Sequence, residues 1–453
     1  MPQDNGLLKR SGANFLSIIN DLKRNRQAAA DDLCVPLAQI EDIIAGKTAI
    51  PDDVLDRAVK AWPVNRRDFM VVEDDAPDGV LVMTAEASTK TSRVFDRGGA
   101  PYYEYRDTAM SKVSPFRPEW ILELREVDDD APGTPLAQWN NGHFMHQFTM
   151  FVGAVNFYYL DGSERRVMKA ETGDSMYITP FVPHTFTTRR QDAAARYGGK
   201  KGLILALTYG NKLAGDVQHE LSALGGTLPL GFALDASSRE AYAASLLRQQ
   251  LESLSMSPET LAELSGVKDV PSLLSGKRLP APDEYEALAD ALDVNSRDLM
   301  PPDAFDPKTA LKVRAKTAPR RFGAYAVTDL AAVRYLPYSK AVILERTGAA
   351  DALDLKLPLH QYVYNFGASP VVLRWELDGK SHEAVLKTDE SAYLKPHVLH
   401  SFAPAEDGKM ELLSLRIGGK TMGEAQRELA HIGGKNMRRV YDEHTLWYRE
   451  EKK

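Results

Sequence analysis

A single cysteine, Cys34, in 453 residues excludes an intramolecular disulfide and any cysteine-rich metal centre. No run of about eighteen apolar residues interrupts the chain, so no transmembrane helix is expected. A basic excess is missing too: 56 Lys and Arg stand against 63 Asp and Glu, for a net charge of −7. That balance gives no electrostatic footprint for nucleic acid. The opening MPQDNGLLKRSGANF lacks the apolar core of a signal peptide, so a cytoplasmic location is expected. What is present, 43% apolar and 26% charged residues, suits a globular chain able to bury a large core.

An internal repeat organises the chain. Residues 39–70, QIEDIIAGKTAIPDDVLDRAVKAWPVNRRDFM, match residues 269–300, DVPSLLSGKRLPAPDEYEALADALDVNSRDLM. Gly46-Lys47 recurs as Gly276-Lys277, Val-Asn follows 18 residues after each glycine, and both copies end in Met. Leu55, Ala58 and Val59, or Leu288, Ala289 and Leu292, fall at helical spacing. Each copy reads as a helix-turn-helix-like module, with Ser257, Pro258 and Glu259 as a helix start in the second.

A second pair of similar segments follows each module. Residues 143–190 and 360–403 share His-Gln, an alternating apolar run, Leu-Asp-Gly, Ser-x-Tyr, Pro and a final His. Alternation punctuated by Gly, Asp and Pro is strand and hairpin grammar. GNKLAGDVQHELSALG at 210–225 then mirrors GGKTMGEAQRELAHIGG at 418–434, pairing Lys212 with Lys420. The expected fold class is mixed α and β, in two repeats, each a helical module followed by a cupin (jelly-roll) barrel. The expected boundaries are a helical module at 1–75, a barrel with the metal site at 80–230, a second module at 235–302, a degenerate barrel at 305–435 and a tail at 436–453.

GDSMYITPFVPH (173–184) resembles the second cupin motif, and QWNNGHFMHQF (138–148) stands where the first would lie. Residues four apart in a strand share a face, which puts His143 and Gln147 together and turns His146 away as a structural residue. With His184 they offer two imidazoles and an amide oxygen, a neutral set with open positions that suits Fe(II) and O2 and leaves room for an anion. Ligand type does not exclude zinc, and barrel histidines often only hydrogen-bond. In the second copy His360-Gln361 and His400 recur, but Leu357 replaces His143; that site, with His397, is expected to be structural.

The order of module and barrel, repeated, with Asn140-x-x-His143 and a second-motif histidine, resembles the family of methylphosphonate synthases and hydroxyethylphosphonate dioxygenases, tandem-cupin iron oxygenases. The likeness covers nearly the whole chain. Dioxygenases carry a glutamate ligand six residues before the second-motif histidine; here that position is Ile178, a pocket residue in place of the carboxylate. Together with His143-x-x-x-Gln147, this resembles the synthase branch more closely. Glu171 lies nearby, but its register sets it before the turn. The resemblance also implies that Arg97, Tyr105, Asn140 and an N-terminal lysine, Lys23, contact the phosphonate; Lys212 and Lys420 are further candidates, with helix capping as their plainer role. A phosphonate dianion suits guanidinium and ammonium partners.

The activity implied is Fe(II)- and O2-dependent C–C cleavage of 2-hydroxyethylphosphonate to methylphosphonate and carbon dioxide. The alternative is the dioxygenase outcome, hydroxymethylphosphonate and formate. All four electrons come from the substrate, so no 2-oxoglutarate is expected. Expected partners are the phosphonate and O2, with no nucleic acid and no membrane, in a homo-oligomer. A regulator that joins helix-turn-helix to cupin is the alternative of another class. Its recognition helices would be LAQIEDIIAG and DVPSLLSG, which lack the Arg, Lys, Asn and Gln of a base reader. A related oxygenase acting on another small anion differs only in its pocket.

Overall fold

The computed structural model describes residues 5–348 and 352–441. The expected tail at 436–453 lies outside the described residues beyond 441. Four helices open the chain, Asn5–Asp21, Arg26–Leu33, Leu37–Ile44 and Asp52–Ala61. Their starts follow local chemistry: the Asn25 side chain accepts the Ala28 N–H at 2.7 Å, and Pro36 and Pro51 precede the next two. Phe15, Ile19, Leu33, Ile40, Val54 and Trp62 form their shared core. Arg239–Leu254, Pro258–Ser265, Val270–Leu274 and Pro282–Leu292 build a second cluster around Leu247, Leu261, Leu273 and Leu288. As expected, Ser257 caps the Pro258 helix, accepting the Thr260 N–H at 3.1 Å.

The recurrent glycines have a steric reason. Gly46 has φ 64°, and a Cβ there would lie 2.8 Å from the Cα of Lys9 on the first helix. Gly276 has φ 67° and faces the Cα of Ala241 at 3.2 Å. Both positions need the left-handed backbone and the missing side chain at a close helix approach.

Between and after the helices lie four sheets. One seven-stranded sheet runs Thr309–Lys312, Ser175–Ile178, His146–Val152, Leu203–Tyr209, Pro118–Glu123, Ala100–Asp107, Arg93–Arg97. It faces a four-stranded sheet of Glu126–Val127, His184–Arg189, Val155–Asp161 and Glu164–Ala170. Tyr102, Phe151, Phe157, Ile178, Phe186 and Ile204 fill the space enclosed. The other seven-stranded sheet runs Val80–Met83, Ser391–Leu394, His360–Asn365, Lys409–Ile417, Ser339–Thr347, Tyr325–Asp329, Arg320–Phe322, with a four-stranded partner of its own.

The two large sheets pack back to back. Phe148, Met150, Tyr177, Leu205 and Leu207 meet Ile343, Tyr362, Tyr393, Leu413 and Leu415 in one apolar cluster. Central strands are therefore buried on both faces, and His146–Phe151 is buried throughout. Each half also lends a strand: Val80–Met83 pairs with Ser391–Leu394, and Thr309–Lys312 with Ser175–Ile178. Bonds from the Ala331 N–H to Ser175 Oγ (2.9 Å) and from the Ala109 N–H to Ser391 Oγ (2.8 Å) repeat across the junction. Among the described residues no helix is long and apolar enough to cross a membrane.

Candidate functional site

The first barrel holds a cavity of about 110 Å³ lined by Arg97, Tyr105, Asn140, His143, Gln147 and His184, residues singled out above. Gln147 lies on the strand His146–Val152, as alternation requires, but His143 does not. The strand begins at His146, and His143 sits in the loop before it. Gly142, with φ 77°, makes that loop possible: a Cβ there would lie 2.6 Å from the carbonyl carbon of Phe181. The Phe181 N–H donates to the His143 carbonyl at 2.9 Å, tying the loop to the turn before His184.

Both imidazoles are anchored on the side away from the cavity. His143 Nδ1 lies 3.1 Å from the Met145 carbonyl, and His184 Nδ1 lies 2.9 Å from the Val182 carbonyl. A carbonyl only accepts, so each Nδ1 carries the proton and each Nε2 is left as the coordinating nitrogen. The rings stand 5.1 Å apart at 88°. Gln147 Oε1 is 3.0 Å from His143 Nε2, and its amide nitrogen donates to Thr149 Oγ1 at 3.0 Å, which turns the oxygen inward. Two ligands about 2.1 Å from one ion, at right angles, lie about 3 Å apart. The donor set therefore fits a divalent ion. Among the described residues no group of three or more His, Cys, Asp and Glu could hold a metal, and the protein oxygen beside the two imidazoles is the Gln147 amide.

Asn140 steadies His184: its Oδ1 accepts the His184 backbone N–H at 2.9 Å, and its amide nitrogen lies 3.2 Å from Nε2. Burial, opposed by the bond to Val182 and reinforced by His143 and Arg97, pushes His184 down to about 3. The ring is neutral at neutral pH, the form a metal needs. Tyr105 is pushed up to about 12, by burial first and against the pull of Arg97, and stays a phenol.

Arg97 supplies the positive charge. Its guanidinium lies 4.6 Å from the Tyr103 ring centre and 5.5 Å from that of Tyr102, and donates once, to the Gln138 carbonyl at 3.2 Å. Behind it Glu123 is fully buried, its carboxyl held well above the ordinary range by burial, which Arg97 opposes. Ile178 is fully buried and pairs in register with Gln147, so the two side chains share the barrel's inner face, though Ile178 is not among the residues lining the cavity.

Other candidates fall elsewhere. Lys23 follows the first helix with φ 57°, side chain mostly exposed and bonded to the Asp21 carbonyl at 2.9 Å; it is not among the lining residues. Glu171 binds Arg189, Arg196 and Tyr197 at the barrel's far end. Lys212 caps the carbonyls of Gly419, Lys420 and Met422, and Lys420 bonds Asp216, so neither lysine reaches the cavity. His146 faces the other barrel, bonded to Tyr177 and Tyr335, and His360 repeats the arrangement with Tyr393. His397 sits in a turn, its N–H on the Leu357 carbonyl at 2.6 Å. Glu119, Tyr103, Ile121, Phe186, Ile204 and Thr208 complete the wall and were not singled out from sequence. Only inward alternation along Pro118–Glu123 could have signalled Glu119.

A large sheet facing a small one around two imidazoles and an amide is the cupin plan. No family model matches the chain. The chain is 47% identical over 448 residues to the methylphosphonate synthase of Nitrosopumilus maritimus (strain SCM1), covering 97% of this chain and 96% of that one. It also matches the Streptomyces albus HEPD structure with 2-hydroxyethylphosphonate and Fe(II) bound, at TM-score 0.90 and 35% identity, over 98% of this chain and 99% of that one. A variant of 2-hydroxyethylphosphonate dioxygenase shares the fold at TM-score 0.76 and 20% identity, over 93% and 98% of the two chains. The chain belongs to the family of methylphosphonate synthases and hydroxyethylphosphonate dioxygenases, non-haem iron oxygenases. Membership of an enzyme family sets the regulator reading aside.

Proposed function

We propose that this chain converts 2-hydroxyethylphosphonate and O2 to methylphosphonate, carbon dioxide and water, with Fe(II) held by His143, Gln147 and His184. The observation that carries this is one cavity joining those three donors to Arg97, Tyr105 and Asn140, in a chain 47% identical to a methylphosphonate synthase. Bound iron supplies O2 binding and activation. The protein's own groups do the rest. Arg97 and Tyr105 take the phosphonate, Asn140 holds His184, and the apolar wall of Ile121, Phe186 and Ile204 keeps water from the reacting carbons. The substrate provides all four electrons, so 2-oxoglutarate has no part. The dioxygenase outcome is the second reading, favoured by the 35% identity and TM-score 0.90 to the Streptomyces albus enzyme. Against it stands Ile178, where the resemblance puts a carboxylate ligand.

The chain is further read as a tandem duplication of helix-turn-helix-like module and barrel, supported by two helix clusters with separate cores and two large sheets of parallel strand order. A cytoplasmic homo-oligomer fits the apolar surface at Leu228, Leu230 and Phe232, each more than 60% exposed. Anaerobic loading with Fe(II), then O2 and substrate, followed by phosphorus NMR and a formate assay, tests the reaction. Methylphosphonate without formate is expected. Hydroxymethylphosphonate with equal formate would move the chain to the dioxygenase outcome, and unchanged substrate would sink the phosphonate reading.

A further inference from the structure

Glu119 is the one acidic residue in the wall of this cavity. It belongs to the strand Pro118–Glu123, whose alternation turns Glu119, Ile121 and Glu123 the same way. Glu119 and Ile121 line the cavity, and Glu123 lies deeper and fully buried. Tyr105 is one diagonal step away on the neighbouring strand, since Tyr105 pairs with Ile121 and Asp107 with Glu119.

Among the described residues no hydrogen bond or ion pair is made by the Glu119 carboxyl. Arg93, whose charge acts on Glu119, is paired with Asp107 at 2.8 Å. Burial pushes the Glu119 carboxyl up, Arg93 opposes this and Asp107 adds to it. Tyr103, Tyr105, Arg97, His143 and His184 are the other titratable groups around the cavity. A half-buried carboxylate with no cation paired to it, opposite another carboxylate and facing a bound dianion, would be unfavourable. A carboxylic acid at the same place is a donor, and an acid shared with an anionic oxygen makes a short, strong bond.

Resting on the phosphonate reading above, we propose that Glu119 is a substrate-recognition residue of this cavity, binding as a neutral acid that donates its proton in a hydrogen bond to an oxygen of the anionic head. The cavity then recognises an anion through three different donors: the guanidinium of Arg97, the phenol of Tyr105 and the acid of Glu119. A phosphonate, with three oxygens in a tetrahedral array, can give each donor an oxygen of its own, which a planar two-oxygen carboxylate cannot.

The test is anaerobic calorimetric titration of 2-hydroxyethylphosphonate into Fe(II)-loaded wild type, Glu119→Gln and Glu119→Ala, with metal content and steady-state kinetics of each. Glutamine keeps a neutral donor of the same length. The expected result is a Kd within about threefold of wild type for E119Q and weaker by about tenfold or more for E119A, the loss following KM more than kcat. Metal content should be equal in all three. E119A binding as wild type overturns the proposal, and so does E119Q losing as much as E119A, which would show that the charged carboxylate is required. A wild type that binds the phosphonate without converting it sinks the proposed reaction and leaves Glu119 to be judged on the Kd values. A wild type that binds none overturns both.

Discussion

Removing Arg97 is the sharpest perturbation of the site, because its surroundings fix what is lost. A guanidinium has five N–H donors. Here one reaches the Gln138 carbonyl at 3.2 Å, and no carboxylate of the described residues pairs with the group. Its flat face is held over Tyr103 at 4.6 Å, which leaves the edge for a ligand. Two charge-assisted bonds to a phosphonate, at roughly 1.5–3 kcal/mol each and not fully additive, amount to about 3 kcal/mol. Arg97→Ala should therefore lower kcat/KM about 150-fold, chiefly through KM. Arg97→Lys should fall between, since an ammonium cannot bind bidentately. The fold should tolerate the change: burial already pushes the Glu123 carboxyl towards its neutral form against the pull of Arg97, and losing that pull pushes it further the same way. Initial rates by phosphorus NMR, alongside metal content and a thermal melt, read all three effects. An R97A enzyme within threefold of wild type in kcat/KM, with full metal content, would refute the assignment of Arg97 as the anion clamp.

Gln147→Ala should weaken Fe(II) binding at least 10- to 100-fold, judged by the loss seen when groups that merely orient ligands are removed; an anaerobic metal titration that shows unchanged affinity would remove the amide from the ligand set. Gly142→Ala should strain the loop by about 1–3 kcal/mol and displace His143, lowering metal affinity more than thermal stability, since the new Cβ would sit 2.6 Å from the Phe181 backbone. Metal affinity equal to wild type would show that the loop can shift without cost to the site. The metal-free protein should also lose stability on mild acidification. Burial holds His146, His360 and His400 down to about 4 and His184 down to about 3 when folded, against an ordinary 6.5. The folded values lie below the unfolded one, so this contribution is complete above about pH 6.5 and is lost as pH falls towards 4. Between pH 6.5 and 5.5 that is roughly 1 kcal/mol for each ring. Urea midpoints at both pH values measure it, and His400→Asn should flatten the slope by about a quarter; an unchanged slope would show that burial does not hold His400 neutral in the fold.

Much of the site was legible because cupin chemistry is local along the chain. His143, Gln147 and His184 lie in two short motifs, and strand alternation alone separates Gln147 from His146. One misjudged detail, His143 on a strand rather than in a loop, arose where Gly142 ends regular alternation. Glu119 was not legible: EWILE reads as an ordinary half-buried strand, and only the pairing of Asp107 with Glu119 and of Ala206 with Glu119 shows which side faces in. For Lys212 and Lys420 the plainer expectation, capping, is the one the hydrogen bonds match. Lys212 and Lys420 were picked by repeat symmetry, which says that two positions are equivalent but not that either points at a ligand; each instead closes onto the other half's segment. The exchange of Val80–Met83 and Thr309–Lys312 between sheets had no sequence signal, because edge pairing depends on which large sheet lies within reach.

That exchange bears on why a second barrel without a full ligand set persists in the chain. Ile178 is the register partner of Gln147 on one side and of Thr309 on the other. The strand that backs the amide ligand is thus itself backed by residues of the other half. Taking away the second half would leave Ser175–Ile178 as an open edge and expose Phe148, Tyr177, Leu205 and Leu207, which now pack against the second barrel. Each such side chain is worth about 1.5–3 kcal/mol when buried, so the four together exceed half the stability of a typical domain. Residues 1–230 alone should therefore aggregate or fail to retain Fe(II), and co-expression with residues 231–453 should restore a soluble, iron-binding complex. The second barrel then buttresses the sheet that carries the first one's site, whose lining residues all belong to the first half, and Leu357 in place of a ligand histidine costs the enzyme nothing. A soluble first half that binds Fe(II) with the affinity of the whole chain would refute this, and would leave the second barrel without a structural reason for its place beside the site.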